Sequence, residues 1–237
     1  MRSRERRGVA AGQSTRAAAR LGRPAPARPN LLLGEDLPAH PRQRRSLENR
    51  ARLKQAGLKL FFRSGYAGTS INQIAAQAGL AVGGFYLHFR TKRQLLVALM
   101  DDLLQALSEL DLRVDASGDP RTAIRDLLAR AFASDLEYLG AYRAWQEAIL
   151  TDPDLARRQR AINAWTTARV VRVFRALETL PGARKGVDVE GLASVIDKLL
   201  WALVSEARRL SKIELDQWLD SAAHIVFHAL FLDRAGR

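Results

Sequence analysis

The chain has 237 residues, with 38 Arg or Lys, 25 Asp or Glu, no cysteine and a formal net charge of +13. The absence of cysteine excludes disulfides, thiolate zinc sites and thiol redox sensing. No apolar run approaches the roughly 18 residues that a membrane-spanning helix needs, so we expect no membrane partner.

The positive charge is concentrated in the first part of the chain. Residues 1–45 carry 11 basic and 3 acidic side chains, and residues 46–93 carry 8 and 1. Residues 94–237 carry 19 basic and 21 acidic side chains. This division predicts that one part binds a polyanion and that the other part does not.

Residues 1–45 contain five of the eight prolines and show no helical or strand period, a composition typical of disorder. One interpretation is a basic arm that contacts phosphates, with Arg42, Arg44 and Arg45 beside the first helix as contributors. A targeting segment, although without the apolar core of a secretory signal, and an extension without a role are the alternatives.

The sequence predicts a first helix over about 46–63 and then a helix-turn-helix over about 70–89. Ser70 and Gln73 form a capping box, and Gly79 provides a residue that can end the helix with positive φ. A second short helix ends near Phe89, and Thr91 with Gln94 predicts another capping box. In a helix-turn-helix the second helix enters the DNA major groove.

This region resembles the DNA-binding domain of the TetR family of bacterial transcriptional regulators. The resemblance covers about residues 47–107 and depends on these residues at these spacings: Ile74, Ala75, Ala78, Gly79, Leu80, Gly83, Tyr86, His88, Phe89, Lys92 and Leu95. It implies an all-α fold with a basic tail (1–45), a DNA-binding domain (46–107) and a regulatory and dimerisation domain (108–237). In this family the fourth helix links the two domains and its tilt carries the signal.

Helical periodicity and caps continue to the end of the chain. We expect a fourth helix from Thr91 to about Leu112 and a break at Gly140. The other expected helices start at Pro120, Pro153, Val189 and Lys212, with Ser211 and Glu214 as the last capping box.

The predicted DNA contacts fall into two sets. Side chains and helix starts suited to phosphates are Arg45, Thr69, Ser70, Tyr86, His88, Thr91 and Lys92. Base reading falls to the start of the second helix, Ala81, Val82, Gly83 and Gly84, with Gln73 and Leu87 or DNA shape adding specificity. The four small residues depart from the commoner family pattern, which often has Ser, Lys or Thr there, so direct base contacts are expected to be few.

The resemblance also implies an effector cavity and a dimer. Aromatic residues on the helices that enclose the family's cavity are Phe132, Tyr142, Trp145, Trp165 and Trp201, with ordinary core as the alternative. Arg143, Glu147 and Arg169 are candidate polar anchors, and the expected ligand is an apolar or aromatic small molecule. The last two helices are predicted to form a homodimer interface through Leu199, Leu203, Trp218, Ala222, Ile225 and Val226, again with ordinary core as the alternative.

No pattern predicts catalysis or a cofactor. His224 and His228 have the spacing of two metal ligands on one helical face, but the Glu of the zinc-protease pattern is missing and packed histidines are commoner. We therefore predict a cytoplasmic, nucleoid-associated regulator, a dimeric repressor that a small molecule releases from its double-stranded DNA operator. An architectural nucleic-acid-binding protein without effector is the alternative, and an enzyme comes third.

Overall fold

The computed structural model describes residues 27–38, 43–114 and 118–232, apart from the side chain of Arg208. Over these residues the fold is all-α, as predicted, with a single isolated β-bridge between Ala183 and Phe231. The helices are α1 (Arg44–Ser64), α2 (Ile71–Gln77), α3 (Val82–Tyr86), α4 (Lys92–Glu109), α5 (Pro120–Glu137), α6 (Leu139–Ala148), α7 (Pro153–Leu177), α8 (Val189–Glu206), a 3-10 turn (Ala207–Arg209) and α9 (Lys212–Leu230). Within the same ranges no helix combines the length and apolarity that crossing a bilayer requires.

Most helix starts follow the predicted caps. Reciprocal capping boxes are present at Ser70 before α2 and at Ser211 before α9. The Thr91 hydroxyl accepts from Gln94 N, but Gln94 Oε1 accepts from Arg90 N at 2.7 Å instead of from Thr91. The predicted box at Thr91 is therefore wrong in its second half.

Gly140 does not separate two helices, contrary to the prediction, because it lies inside α6. A Cβ at this position would come 2.1 Å from the carbonyl oxygen of Leu58 in α1. The glycine is needed because the backbones of α6 and α1 approach closely, which sequence alone does not reveal. The helix boundary falls instead at Tyr138.

Two apolar cores hold the helices together. The first joins α1–α4 to α6 and the first half of α7, with Phe61, Leu95 and Trp145 fully buried. The second joins α5, the rest of α7, α8 and α9 around residues such as Phe174 and Val226. Helices α1 and α4, which flank the helix-turn-helix, therefore pack directly against α6.

Residues 27–38, here called the strap, are ordered, so the prediction of disorder is wrong for them. Leu31 is 2% exposed and belongs to the first core. Its backbone N donates to Asp101 Oδ1 of α4 at 3.1 Å, and Arg28 Nη1 lies 2.7 Å from the same oxygen. Residues 1–26 and 39–42, including Arg42 and His40, lie outside the described residues.

An ion-pair network ties the strap to α4 and α7. Arg93 of α4 contacts Glu35 Oε1 and Asp152 Oδ2, each at 2.6 Å. Arg158 Nη2 of α7 reaches Glu35 Oε1 at 2.9 Å. Burial alone would lower the pKa of Arg93, but its hydrogen bonds to Asp152 and Glu35 raise that pKa above the ordinary value. The network fixes the start of α4, which leads out of the helix-turn-helix.

Candidate nucleic-acid interface and effector cavity

The turn between α2 and α3 has the geometry that its sequence predicts. Gly79 has a φ of 65°, in the left-handed region that glycine tolerates best. Its N donates to Ala76 O and Leu80 N donates to Ala75 O, both at 2.9 Å. These bonds satisfy carbonyls at the end of α2 and turn the chain into α3.

The outer face of α3 is exposed and carries small or apolar side chains. Val82, Tyr86 and Leu87 are 38%, 50% and 72% exposed. A Cβ at Gly83 would meet no atom within 4 Å, and one at Gly84 would meet Leu80 Cβ at 3.5 Å. Because neither glycine has a positive φ, neither is required by the fold of this chain.

The predicted phosphate ligands divide into exposed and buried groups. The exposed ones are Arg45, Ser70, Tyr86 and Thr91, while Gln73, Ala81 and Leu87, which were predicted to contribute to base reading, are also exposed. Thr69 is 2% exposed and its hydroxyl donates to Gly65 O at 2.7 Å. The side chain of Thr69 therefore holds the α1–α2 loop and does not face solvent.

His88 is also buried, at 3% exposure, so its side chain is not presented to a DNA backbone. Arg50 of α1 donates to His88 O at 3.0 Å and stacks on the Phe89 ring at 4.4 Å. Burial and the nearby Arg50 lower the pKa of His88. Sequence reasoning missed Arg50 because a helical arginine is ordinarily solvated.

The ammonium group of Lys92 points toward the α1–α2 loop. Its Nζ donates to Tyr66 O at 2.6 Å and to Thr69 O at 2.7 Å, and lies 4.3 Å from the Tyr66 ring centroid. Glu147 Oε2 of α6 accepts from Tyr66 N in the same loop at 2.7 Å. Lys92 and Glu147 thus fix the segment from which α2 starts.

An apolar cavity of about 120 Å³ lies between α4, α5, α7 and α8. Two of the five predicted aromatic residues, Trp165 and Trp201, line it. Tyr142 stacks on Trp201 with a centroid distance of 4.8 Å and lines the neighbouring cavities. Phe132 and Trp145 are core residues at 2% and 0% exposure, and neither lines a described cavity.

Three charged residues line the cavity: Asp135, Asp197 and Arg169. Sequence reasoning missed both acids. Asp135 lies on the helical face of the buried Leu128 and Phe132, and Asp197 directly follows the buried Ile196. A carboxylate on an apolar stripe was the available signal. Arg169 was a candidate anchor, whereas the other candidates, Arg143 and Glu147, bond to Phe62 O and to the α1–α2 loop.

The residues predicted to form the dimer interface differ in how exposed they are within the chain. Ala222 and Val226 are 2% and 1% exposed within the chain and belong to the second core, so they cannot face a partner. Ile225 is 50% exposed. Leu199, Leu203 and Trp218 are partly exposed.

The two C-terminal histidines do not form a metal centre with a third ligand. Their ring centroids are 4.1 Å apart, and Arg121 places a guanidinium nitrogen 3.4 Å from His224 and 3.2 Å from His228. In the described part of the chain no group of three potential ligands comes together.

Together the exposed α3, its glycine turn and the basic first helix define a helix-turn-helix DNA-binding protein. The sequence model of the family described as bacterial regulatory proteins, tetR family, matches residues 53–99. The regulator BetI of Stenotrophomonas maltophilia is 32% identical over 155 residues, which are 63% of this chain and 78% of that protein. The chain belongs to the TetR family of transcriptional regulators.

Other relatives match a shorter part of the sequence or match the fold. AcrR of Shigella flexneri is 32% identical over 89 residues, 37% of this chain and 41% of that protein. A TetR-family regulator from Pseudomonas syringae has a TM-score of 0.58 at 21% identity, covering 78% of this chain and 97% of that one. The SmeT–triclosan complex has a TM-score of 0.56 at 24% identity, covering 80% and 94%. BetI, AcrR and the Pseudomonas syringae protein are transcriptional regulators, and the structural likeness shows the fold.

Proposed function

We propose that this protein is a dimeric repressor that leaves its operator when a small molecule binds in the cavity between α4, α5, α7 and α8. One observation carries the proposal: Leu107, in the last turns of α4, lines the cavity, while Lys92 at the other end of α4 holds the loop before α2. A ligand in the cavity therefore touches the helix that positions the DNA-binding head.

We also propose that the chain is divided into two functional domains. Residues 46–107 act as the DNA-binding domain and residues 108–237 as the regulatory domain, and α6 and α7 contact both. Glu147 on α6 accepts from the α1–α2 loop, and Arg93 joins α4 to Asp152 before α7. A shift of α6 or α7 is therefore transmitted to α2 and α3 through hydrogen bonds as well as through the shared first core.

On DNA, exposed polar groups contact phosphates and α3 lies in the major groove. Tyr86, Ser70, Thr91 and Arg45 supply the phosphate contacts, and Lys92 and His88 act by holding the backbone in place. Ala81, Val82 and Gly83 face the bases, with Gln73 and Leu87 beside them, whereas a Cβ at Gly84 would point toward Leu80. Since small apolar groups contact thymine methyls but make no bidentate bonds, DNA shape contributes much of the specificity.

A dimer places two heads on successive major grooves, about 34–36 Å apart. The exposed Ile225 and Val195 support an interface on α8 and α9, with Leu199, Leu203 and Trp218 beside them. Effector binding then favours a head spacing that no longer matches the grooves, which is a population shift between two states. SmeT, which shares the fold, is the repressor of a multidrug efflux pump and forms a complex with triclosan.

The test is binding of the purified protein to its own upstream DNA and to a scrambled duplex of equal length across a salt series. Preference for the upstream DNA by roughly 10³-fold or more at physiological salt supports a sequence-reading regulator. Equal affinity for both duplexes with a steep loss at high salt contradicts it and favours an architectural protein.

A further inference from the structure

The proposed effector cavity is mostly apolar, but one of its polar atoms has no partner. Asp135 is half-buried as a residue, yet its Oδ1 is buried and accepts no hydrogen bond from the described residues. An unsatisfied buried carboxyl oxygen destabilises the folded protein, and more strongly when the group is charged. A ligand or a water molecule that donates a hydrogen bond to Asp135 Oδ1 would satisfy this oxygen.

Asp197 adds a second carboxylate to the same wall. It is 6% exposed, and its Oδ2 accepts from Thr166 Oγ1 at 3.1 Å and from Thr167 Oγ1 at 2.7 Å. Burial and the charge of Asp197 raise the pKa of Asp135 to about 7. Burial and these two carboxylates also raise the pKa of Tyr142 to about 12, which indicates that all three groups share one electrostatic environment.

Two cations near the cavity, Arg169 and Lys198, bond to other groups. Arg169 Nη2 donates to Leu107 O at 2.5 Å and its guanidinium lies 4.8 Å from the Trp165 ring centroid. Lys198, on the exposed side of α8, donates to Ser194 Oγ at 2.7 Å. Neither forms an ion pair with Asp135 or Asp197 among the described residues, so the site lacks a cation that binds Asp135.

We propose that this cavity binds a small hydrophobic amine in its protonated form, with the ammonium group donating to Asp135 and the apolar part packed against Trp165 and Trp201. The inference rests on the proposed function, because it names the chemical class of the effector. The volume of about 120 Å³ limits the enclosed apolar part of the ligand to roughly one ring, since a 150 Å³ cavity accommodates benzene. The face of a tryptophan also attracts a cation.

The experiment compares three probes that share a ring and differ in charge: benzylamine, benzyl alcohol and benzoate. Binding to the full chain is followed by calorimetry and by tryptophan fluorescence, to which the two cavity tryptophans contribute beside Trp145 and Trp218, at pH 8, above the raised pKa of Asp135. We expect benzylamine to bind more tightly than about 1 mM and at least about ten times more tightly than benzyl alcohol. We expect no saturation with benzoate.

Asp135→Asn should reduce the affinity for benzylamine about tenfold or more and leave that for benzyl alcohol unchanged. The control is Asp126→Asn, which neutralises an exposed carboxylate on the same helix and should change neither. Equal binding of benzylamine and benzyl alcohol, no binding of any probe, or preference for benzoate through Arg169 each overturns the proposal.

Operator binding by the ligand-free protein is measured in parallel. If the protein binds its operator but no amine, the effector class is wrong and the regulatory function stands. If it binds benzylamine but not DNA, the proposed repressor function fails and the cation site stands. Because Asn removes a buried charge while keeping the side-chain volume, the Asp135→Asn protein is expected to fold.

Discussion

Arg169 Nη2 on α7 donates a 2.5 Å hydrogen bond to the carbonyl oxygen of Leu107, in the last turns of α4. Leu107 O also accepts from Leu110 N at 3.3 Å, and a cation at a helix C-terminus is favourable for the helix dipole. At its other end α4 is held by Arg93, which contacts Asp152 at the start of α7. Helix α7 therefore binds α4 at both ends, and the cavity lies beside one of the two attachments.

Arg169→Met should lower the free energy of unfolding by about 1–3 kcal/mol, the usual value for a hydrogen bond to a charged group. We expect a loss near the lower value, because the substitution also removes a buried charge, whose cost is indicated by the lowered pKa of Arg169. Urea denaturation measures the change. Arg157→Met, on the exposed part of the same helix, is the control, and an equal effect of both substitutions would contradict a specific role for the Leu107 bond.

Gly83→Ala should change stability and DNA affinity in opposite directions. Alanine in a helix is favoured over glycine by about 0.5–1 kcal/mol, and the added Cβ meets nothing within the chain. If α3 approaches DNA closely at Gly83, the methyl group weakens operator binding. Thermal denaturation and DNA titration measure the two effects.

Gly84→Ala is the matched control, because its Cβ would meet Leu80 at an ordinary 3.5 Å and points away from the open face. It should leave DNA affinity closer to wild type than Gly83→Ala does. Unchanged operator binding by the Gly83→Ala protein would exclude close approach at this position.

Lys92→Met should weaken both folding and DNA binding, because it removes the bonds to Tyr66 O and Thr69 O. We expect a loss of about 1–2 kcal/mol in the free energy of unfolding.

Tyr86→Phe removes only a half-exposed hydroxyl and should weaken binding to operator and scrambled DNA alike, without a stability change. A loss confined to one base position would contradict the assignment of Tyr86 to phosphates.

Glu35→Gln should destabilise the protein by about 1–3 kcal/mol, because the side chain accepts from two arginines and is 6% exposed. Glu48→Gln breaks an exposed pair with Arg44 at 3.7 Å and should cost less than about 1 kcal/mol. Guanidinium denaturation compares the two. If both proteins have wild-type stability, the strap does not hold α4 against α7.

Asp135 should make stability depend on pH between about 4 and about 7. Its pKa is raised from 3.8 to about 7, so the folded state favours the protonated form. The resulting stabilisation is complete below the ordinary pKa and is lost as the pH rises through the folded pKa. Asp135→Asn should therefore match wild type near pH 4 and exceed it near pH 8, as measured by urea denaturation at each pH. If the free energies of unfolding of the two proteins changed in parallel with pH, a buried carboxyl group with a raised pKa would be ruled out.

Local signals predicted most of the helices. The boxes at Ser70 and Ser211 and the starts at Pro120 and Pro153 depend on neighbours within four residues, so sequence is enough to place them. The candidate site was predicted less completely. Trp165 and Trp201 line the cavity, but Asp135 and Asp197 were missed, because the cavity is formed by four helices whose relative positions no local pattern specifies.

The sequence by itself determined the helical fold, the helix-turn-helix and the family, because these depend on periodicity, caps and a spaced set of residues in one short stretch. Only the tertiary structure decided which charges are buried and what they contact: Arg50 against Phe89, Lys92 on the α1–α2 loop and Glu35 between two arginines. The burial of a charge is set by distant segments that pack over it. That is why the strap, although it follows a basic and proline-rich stretch, is ordered through its contacts with α4 and α7.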